Sequence, residues 1–565
     1  MNAIQYRTLT EAMLDAPPDR PFLTMWHDED EVETVKFGEF VRLARLQAVD
    51  FLAHGLRPGD RVILVMPQGI PVMVSFAAAM LVGAVPAIMA YPNFKVEPAK
   101  YRYGLTGVSK NLKARLVVLD EQFPDDLLSY VDCAGDAKII RNVGLQDSVS
   151  EPAVPDLPTD PAGIAFIQHS AGTTGLQKGV ALSHDAVLTQ LDHLASTLQL
   201  TAQDRIYSWL PLYHDMGLIA CFMLPLVYHL PVVMQSPTDW VMRPGSMLSL
   251  ITEYRCTLGW IPNFALQFLA RRVPAKERPN FDLSSMRMLI NCSEPVREQS
   301  IREFYNAYSQ YGIRPEAVQS CYAMAETVFA VTQSGTGPTG LPGRVWVDAK
   351  RLTDAHVAER VAHDAEGSLC MVSSGRCIPG SRVRIMSTEG VELPDGDVGQ
   401  IVIQSDSLFE GYYNRPDLTE KAKKDGWYWS GDLGFCADGE LYVIGRKSDL
   451  IIVAGKNLYP QDIEEIACSH SRIHDGRAVA FGMFNPDLGT EDIVIIAEVE
   501  DESDLRNSAS IEQAVRNAVV AELGVAVRAV YLKPPKWIVK STAGKAARST
   551  TREKLLSEQP ELRKA

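Results

Sequence analysis

The sequence predicts an α/β fold: a large N-terminal domain of parallel-rich sheets with flanking helices plus a small β-barrel-like subdomain, then a small α+β C-terminal domain. Short apolar strands alternate with amphipathic helices up to about residue 291, the signature of parallel sheets covered on both faces. After about residue 365 the texture changes to short strands broken by Gly380, Gly390, Asp395-Gly396, Asp425-Gly426 and Asp438-Gly439. A second break falls at Gly445-Arg446-Lys447-Ser448-Asp449, beyond which strands and helices alternate again. The expected boundaries are 1–445, with about 365–445 the β-rich part, and 446–565. A chain of 565 residues is too long for one ordinary core.

The elements follow in order. A helix is expected around Thr8–Leu14, a hairpin over Thr24–Val35, a helix over Phe37–His54 and a strand over Arg61–Met66. Ile70 to Tyr91 is apolar enough to suggest a membrane span, but Pro71, Gly83, Pro86 and Pro92 interrupt it. A helix Pro71–Leu81 leading into a strand Ala84–Ala90 explains it better. Strands Leu116–Leu119, Ile164–Ile167, Arg205–Trp209, Val232–Met234, Thr257–Trp260 and Met288–Asn291 follow, with helices His184–Leu198, Pro244–Tyr254 and Asn263–Arg272. The β-rich part supplies Arg382–Met386, Gly399–Gln404, Trp427–Ser430 and Glu440–Ile444. The last unit reads as Leu450–Val453, helix Pro460–Cys468, Arg477–Phe481, Asp492–Val499, helix Ile511–Leu523 and Ala529–Leu532, ending in a charged helix that frays over Arg552–Ala565.

Composition narrows the class. Apolar residues make up 46% and charged ones 22%, as in soluble globular proteins. A formal net charge of −15 argues against a general nucleic-acid binder. The nine cysteines are scattered without a C-x-x-C pair, which fits free thiols in a reducing cytoplasm. The N-terminus lacks the charged head and apolar core of a signal peptide, and no stable membrane insertion is expected. His169, His184, His193, His214 and His229 show no metal-ligand spacing, so no histidine metal site is expected.

Strand Ile164–Ile167 runs into Gln168-His169-Ser170-Ala171-Gly172-Thr173-Thr174-Gly175-Leu176-Gln177-Lys178-Gly179. Glycines let backbone N–H groups approach an anion, hydroxyls donate to its oxygens and the lysine neutralises it, so the loop suits a polyphosphate. The spacing is not that of a P-loop NTPase, because Lys178 follows Gly175 by three and precedes glycine.

Five further stretches join it: Trp209–Gly217, Cys321–Thr327, Trp429–Gly434, Gly445–Asp449 and Lys540–Lys545. At these residues the chain resembles the adenylate-forming superfamily of acyl-CoA synthetases, luciferases and peptide-synthetase adenylation domains. Motifs run in that family's order from about residue 60 to 550. The resemblance implies an enzyme that joins a carboxylate to AMP, releases pyrophosphate and passes the acyl group to an acceptor. It implies that Ser170, Gly172, Thr173, Thr174, Gly175 and Lys178 cradle phosphates, and that Glu326 with Thr174 holds Mg²⁺. Tyr322, followed by Ala323, would stack on adenine beside the Ser293-Glu294 turn, while Asp432 and Arg446 meet the ribose. Lys545, the main catalytic lysine, would bridge carboxylate and α-phosphate, with His214 and Glu326 as the other catalytic residues. Gly445–Asp449 resembles the family hinge, about 446–449, on which a mobile C-terminal lid swings; the usual Asp or Lys there is Ser448. Ala171 and Gln177 also depart from the family's serine and proline.

Pro211–Ile219, Ile261–Phe264 with Arg271-Arg272-Val273, Ser293–Arg297 and Asn457–Glu464 resemble the fatty acyl-AMP ligase branch, which hands its acyl adenylate to a holo acyl carrier protein. The long gap between Glu326 and Ser374-Gly375 resembles that branch's insertion, here about Gly343–Leu369. An acyl-CoA synthetase and an amino-acid-activating domain remain the alternatives. Met216, Trp240, Ile261 and Phe264 are the expected walls of an acyl pocket. ATP and Mg²⁺ are the expected cofactors, and Arg271, Arg272, Lys533, Lys536, Lys540, Arg548 and Arg552 are candidates for docking an acidic carrier.

Overall fold

Six strands run parallel in the order Val318–Ala323, Met288–Asn291, Leu258–Ile261, Ile206–Ser208, Val232–Gln235, Pro21–Trp26. Their residues are mostly apolar and almost wholly buried, as expected of strands covered on both faces, with Ser208, Gln235, Asn291, Gln319 and Ser320 as buried polar exceptions. Antiparallel strands close the two ends: Val32–Lys36 beside Pro21–Trp26, and Ala330–Gln333 then Arg376–Cys377 beyond Val318–Ala323. A second, four-stranded parallel sheet has the order Val85–Ile88, Arg61–Val65, Leu116–Asp120, Lys138–Asn142. The computed structural model describes residues 4–28, 31–92, 98–133, 135, 137–142, 160–169, 177–337, 340–453, 456–485, 490–540, 546–560 and 562.

Local chemistry explains the boundaries. Thr8 caps helix Leu9–Leu14 by accepting from Glu11 N–H at 3.1 Å, and Ser183 caps His184–Thr197 through Ala186 N–H at 3.3 Å. Proline in the first turn starts Ile70–Leu81 and Pro460–Cys468. The Ile70–Leu81 helix is buried nearly throughout, which accounts for its membrane-like composition. Among the described residues no helix is long and apolar enough to cross a membrane.

The β-rich part is an open antiparallel sheet, Ser381–Met386, Gly399–Ser405, Trp427–Ala437 and Lys423–Lys424, with Glu440–Arg446 on Trp427–Ala437. It does not close into a barrel. Trp427–Ala437 runs well past the expected end at Ser430 because a bulge absorbs Gly434 within the ladder. The inserted stretch is also ordered: Arg344–Asp348 pairs antiparallel with Ser368–Val372 across helix Ala349–Asp354. Its Val345, Val347 and Leu352 share an apolar cluster with Leu433, Phe435, Tyr442 and Tyr459.

Beyond Arg446 comes a 3₁₀ turn, Lys447–Asp449, then the hairpin Ile451–Val453 and Lys456–Leu458. Strands Ile473–Asn485, Thr490–Val499 and Val527–Lys533 form the last sheet. Its two faces carry separate apolar clusters, one around Ile463, Ile495 and Val515, the other around Val479, Ile496 and Leu555. The last part of the chain therefore has its own core.

Candidate active site

The strands of a parallel sheet point their carboxyl ends to one edge, and the site is assembled there. Tyr322 lies at the end of Val318–Ala323 and donates its hydroxyl to Asp432 Oδ2 at 2.6 Å. Asp432 sits in strand Trp427–Ala437, placed by Gly431 at φ 79°, and is paired in register with Arg446. Arg446 Nε stands 3.4 Å from Asp432 Oδ1. Burial pushes the Asp432 carboxyl above its ordinary range, with Arg446 and Tyr322 pulling it back. Burial and the Asp432 charge likewise hold the Tyr322 phenol protonated. The expected adenine and ribose residues thus meet, although they lie 110 positions apart in sequence.

Glu326 is on a 3₁₀ turn, Ala325–Thr327, that ends at Val328 with φ 65°. A β-branched residue there is strained, and such strain persists only where the surroundings enforce it. Glu326 Oε1 accepts from Tyr412 Oη at 2.7 Å, and Tyr412 Oη lies 3.4 Å from Tyr428 Oη. Tyr412 is placed by strand Gly411–Tyr412, which pairs with Gly179–Ser183 on the far side of the phosphate loop. Lys178 Nζ stands over the Tyr412 ring, 4.7 Å from its centre. A polar row therefore has two neighbouring groups, Arg446–Asp432–Tyr322 and Tyr428–Tyr412–Glu326 with Lys178 over the Tyr412 ring. Ser170, Gly172, Thr173, Thr174 and Gly175 lie outside the described residues, as does Lys545.

His214 and Asp215 form the next turn. His214 Nδ1 lies 2.6 Å from Asp215 Oδ1, which also accepts from Met216 N–H at 2.7 Å. Gln168, at the end of Ile164–His169, donates to Tyr213 O at 2.6 Å and ties this turn to the phosphate loop. Met216 begins a π-helix, Met216–Met223, packed so closely that a Cβ on Gly217 would stand 2.3 Å from Pro211 O.

Of the residues expected to wall an acyl pocket, Trp240 and Phe264 meet through their rings. Met216, Trp240 and Ile261 are buried, and Phe264 is partly so. Trp240 stacks on Trp209 with centroids 3.8 Å apart and planes within 5°, and Phe264 meets both edge-on. Glu294 Oε2 accepts from Phe264 N–H at 3.0 Å, so the turn expected at adenine also caps the helix that carries the pocket wall. Ser293 in that turn is left-handed, φ 70°, with Oγ 3.9 Å from Met216 Sδ. Ala323 follows Tyr322 at a bulge.

At the domain break, Ser448 is exposed and donates only to its neighbour Asp449, at 3.1 Å. Asp449 binds Arg548 at 2.6 Å, and Arg548 grips Glu464 with two bonds of 2.8 Å. The cations considered for carrier docking are mostly engaged within the chain: Arg271 with Glu303 and Asp475, Arg548 as above, and Lys533 with Glu558 at 2.9 Å. Tyr412 and Tyr428 are not among the residues the sequence assigns to the site, because no motif marks them, and Trp209 enters only as the first residue of the Trp209–Gly217 stretch.

Three comparisons complete the picture. The family model described as AMP-binding enzyme matches residues 10–413. Long-chain-fatty-acid–AMP ligase FadD32 of Mycobacterium marinum is 31% identical over 588 residues, covering 94% of this chain and 90% of that protein. Two solved fatty acyl-adenylate ligases are similar in fold. One, from work on the E. coli and L. pneumophila enzymes, has a TM-score of 0.91 at 26% identity, covering 99% of each chain. The other, the L. pneumophila ligase with acyl adenylate and pyrophosphate, has a TM-score of 0.72 at 28% identity, covering 98% of this chain and 96% of its own.

Proposed function

Because this chain belongs to the AMP-binding enzyme family, in its fatty acyl-AMP ligase branch, we propose that it activates a fatty acid with ATP and hands it to a carrier protein. A carboxylate oxygen attacks the α-phosphorus, the bond to the β-phosphate breaks and pyrophosphate leaves. The phosphopantetheine thiol of a holo acyl carrier protein then attacks the acyl carbonyl, loses its proton to solvent and expels AMP. The observation that carries this reading is the polar row from Arg446 to Lys178, which gathers Asp432, Tyr322, Glu326 and Lys178, the residues expected at ribose, adenine, metal and phosphate, through shared bonded partners.

Each residue has a part. Asp432, relieved of Tyr322, accepts from ribose hydroxyls, and Arg446 holds its charge. Tyr322 offers adenine a ring, and Lys178 with Ser170, Gly172, Thr173, Thr174 and Gly175 receives the β- and γ-phosphates. Glu326, with Thr174, suits Mg²⁺, since a carboxylate already oriented by a tyrosine hydroxyl is a hard oxygen donor. Bound there, the ion would screen the phosphates against the incoming carboxylate. Lys545 stabilises the bridging oxygen as charge develops, and His214 orients the carboxylate. Met216, Trp240, Ile261 and Phe264 house the tail. The chain divides near Gly445, with Ser448 as the hinge, and works in the cytoplasm.

The test offers labelled fatty acid and ATP with either CoA or holo carrier protein. Fatty-acid-dependent ATP–pyrophosphate exchange and acyl transfer to the carrier are expected. Efficient acyl-CoA formation would overturn the choice of acceptor. Lys545→Ala should lose exchange while still binding preformed acyl adenylate.

A further inference from the structure

Arg271, Arg272, Arg297 and Asp462 lie in stretches that resemble the branch and have no assigned part in holding nucleotide, yet the fold brings them to one face. Arg297, from the Ser293–Arg297 stretch, places Nη2 2.9 Å from Asp462 Oδ1 and Nη1 3.5 Å from Glu465 Oε2, both on helix Pro460–Cys468. Arg271 joins Glu303 at 2.8 Å to Asp475 across the same face. Arg272 reaches His474 Nε2 at 3.4 Å and Glu500 at 4.0 Å. The arginines all come from before the Gly445 break and Asp462, Glu465, Asp475 and Glu500 from after it.

The pairs differ in depth. Arg297 is 25% exposed, against 40% for Arg271 and 51% for Arg272. Arg297 is also built in, since its N–H donates to Asn263 Oδ1 at 3.1 Å, and Asn291 Nδ2 bonds the same oxygen at 2.9 Å. Burial alone would favour loss of its proton, but Asp462 and Glu465 hold the guanidinium above its ordinary value. The inner pair therefore resists salt, while the outer pairs are screened.

We propose that Arg297, with Asp462 and Glu465, is a positioning latch that sets how long the C-terminal unit stays in the orientation described here, and so divides the enzyme's time between its two half-reactions. This rests on the function proposed above. In that function, adenylation needs Lys545, which follows the Gly445 break in sequence, at the carboxylate. Transfer needs a thiol to reach the same carbonyl past that unit. One orientation serves one step, so weakening the latch favours one half-reaction at the cost of the other.

The experiment compares the full chain with Asp462→Asn/Glu465→Gln, substitutions away from the nucleotide row. ATP–pyrophosphate exchange and single-turnover transfer from enzyme-bound acyl adenylate to holo carrier protein are measured separately. The two rates should move in opposite directions by about 3- to 10-fold, as loss of a half-buried ion pair that biases two states would give. Arg297→Lys, which keeps the charge and loses the fork, should fall between, and Arg297→Asp with Asp462→Arg should restore the wild-type ratio. Both rates falling together would mean a merely structural role and overturn the latch, as would no change in either. Absence of fatty-acid-dependent exchange in the wild type would instead overturn the functional reading beneath it.

Discussion

The nucleotide row and the face between the two parts of the chain use the same residue types to opposite ends. In the row, Tyr322, Glu326 and Tyr412 are less than a tenth exposed and bond hydroxyl to carboxylate at 2.6 and 2.7 Å. Across the face, Arg272 and Glu500 are each 51% exposed and meet at 4.0 Å. The first arrangement is buried and mutually bonded, so it holds its own geometry. The second can be broken and remade, because exposed pairs contribute on the order of 1 kcal/mol or less. Depth of burial, more than charge, separates the two regions.

The largest break in that comparison comes from Asp432→Asn. Exchange activity should fall by on the order of 10²-fold or more, since an amide cannot accept from both ribose hydroxyls. The same change should raise the melting temperature. Burial lifts the folded-state pKa of Asp432, so its stabilising contribution is present below the ordinary carboxylate range and lost as pH rises through the folded value. At neutral pH the buried charge is a cost, and a higher melting point with lost activity would bear this out.

Acid should come next. Burial pushes His169 and His184 down to about 4 from 6.5, and both rings are nearly inaccessible. Each contributes stability present above pH 6.5 and lost as pH falls towards 4, up to about 3 kcal/mol apiece. Urea midpoints should therefore drop between about pH 7 and about pH 5, and His184→Gln should flatten the dependence. Salt should act on the other region. Between roughly 0.05 and 0.5 M, exchange and transfer rates should shift against one another a few-fold, while the ATP KM moves less. The smallest effect is expected of Tyr412→Phe, which leaves Glu326 in place but unoriented. Titration of exchange with Mg²⁺ should show about a fivefold weaker requirement site, the value of one hydrogen bond.

Elements with strong punctuation were legible in the sequence. Asn263–Arg272 and Pro460–Cys468 occupy the expected residues, because each starts at a proline and keeps an amphipathic period. Asp432, Tyr322, Glu326 and Arg446 were legible as a set through motif order. Trp427–Ala437 was not legible beyond Ser430, since Gly431 and Gly434 look like a turn until a partner strand is known. Nothing local marks Tyr412 as the partner of Glu326, or Arg297 as that of Asp462, 165 residues away. Such contacts are properties of topology, which a single chain's periodicity does not carry.

The stacked pair Trp209 and Trp240 gives the protein an optical signature of its own. Indoles held 3.8 Å apart are close enough to couple their electronic transitions, so their near-ultraviolet bands should change when Trp209→Phe removes one ring. A tail that wedges between the rings would change these bands in the same way, whereas one that slides along their outer face would alter chiefly the fluorescence. Titrating a fatty acid against this signal in the unlabelled protein tests whether the acyl chain reaches the Trp209–Trp240 pair.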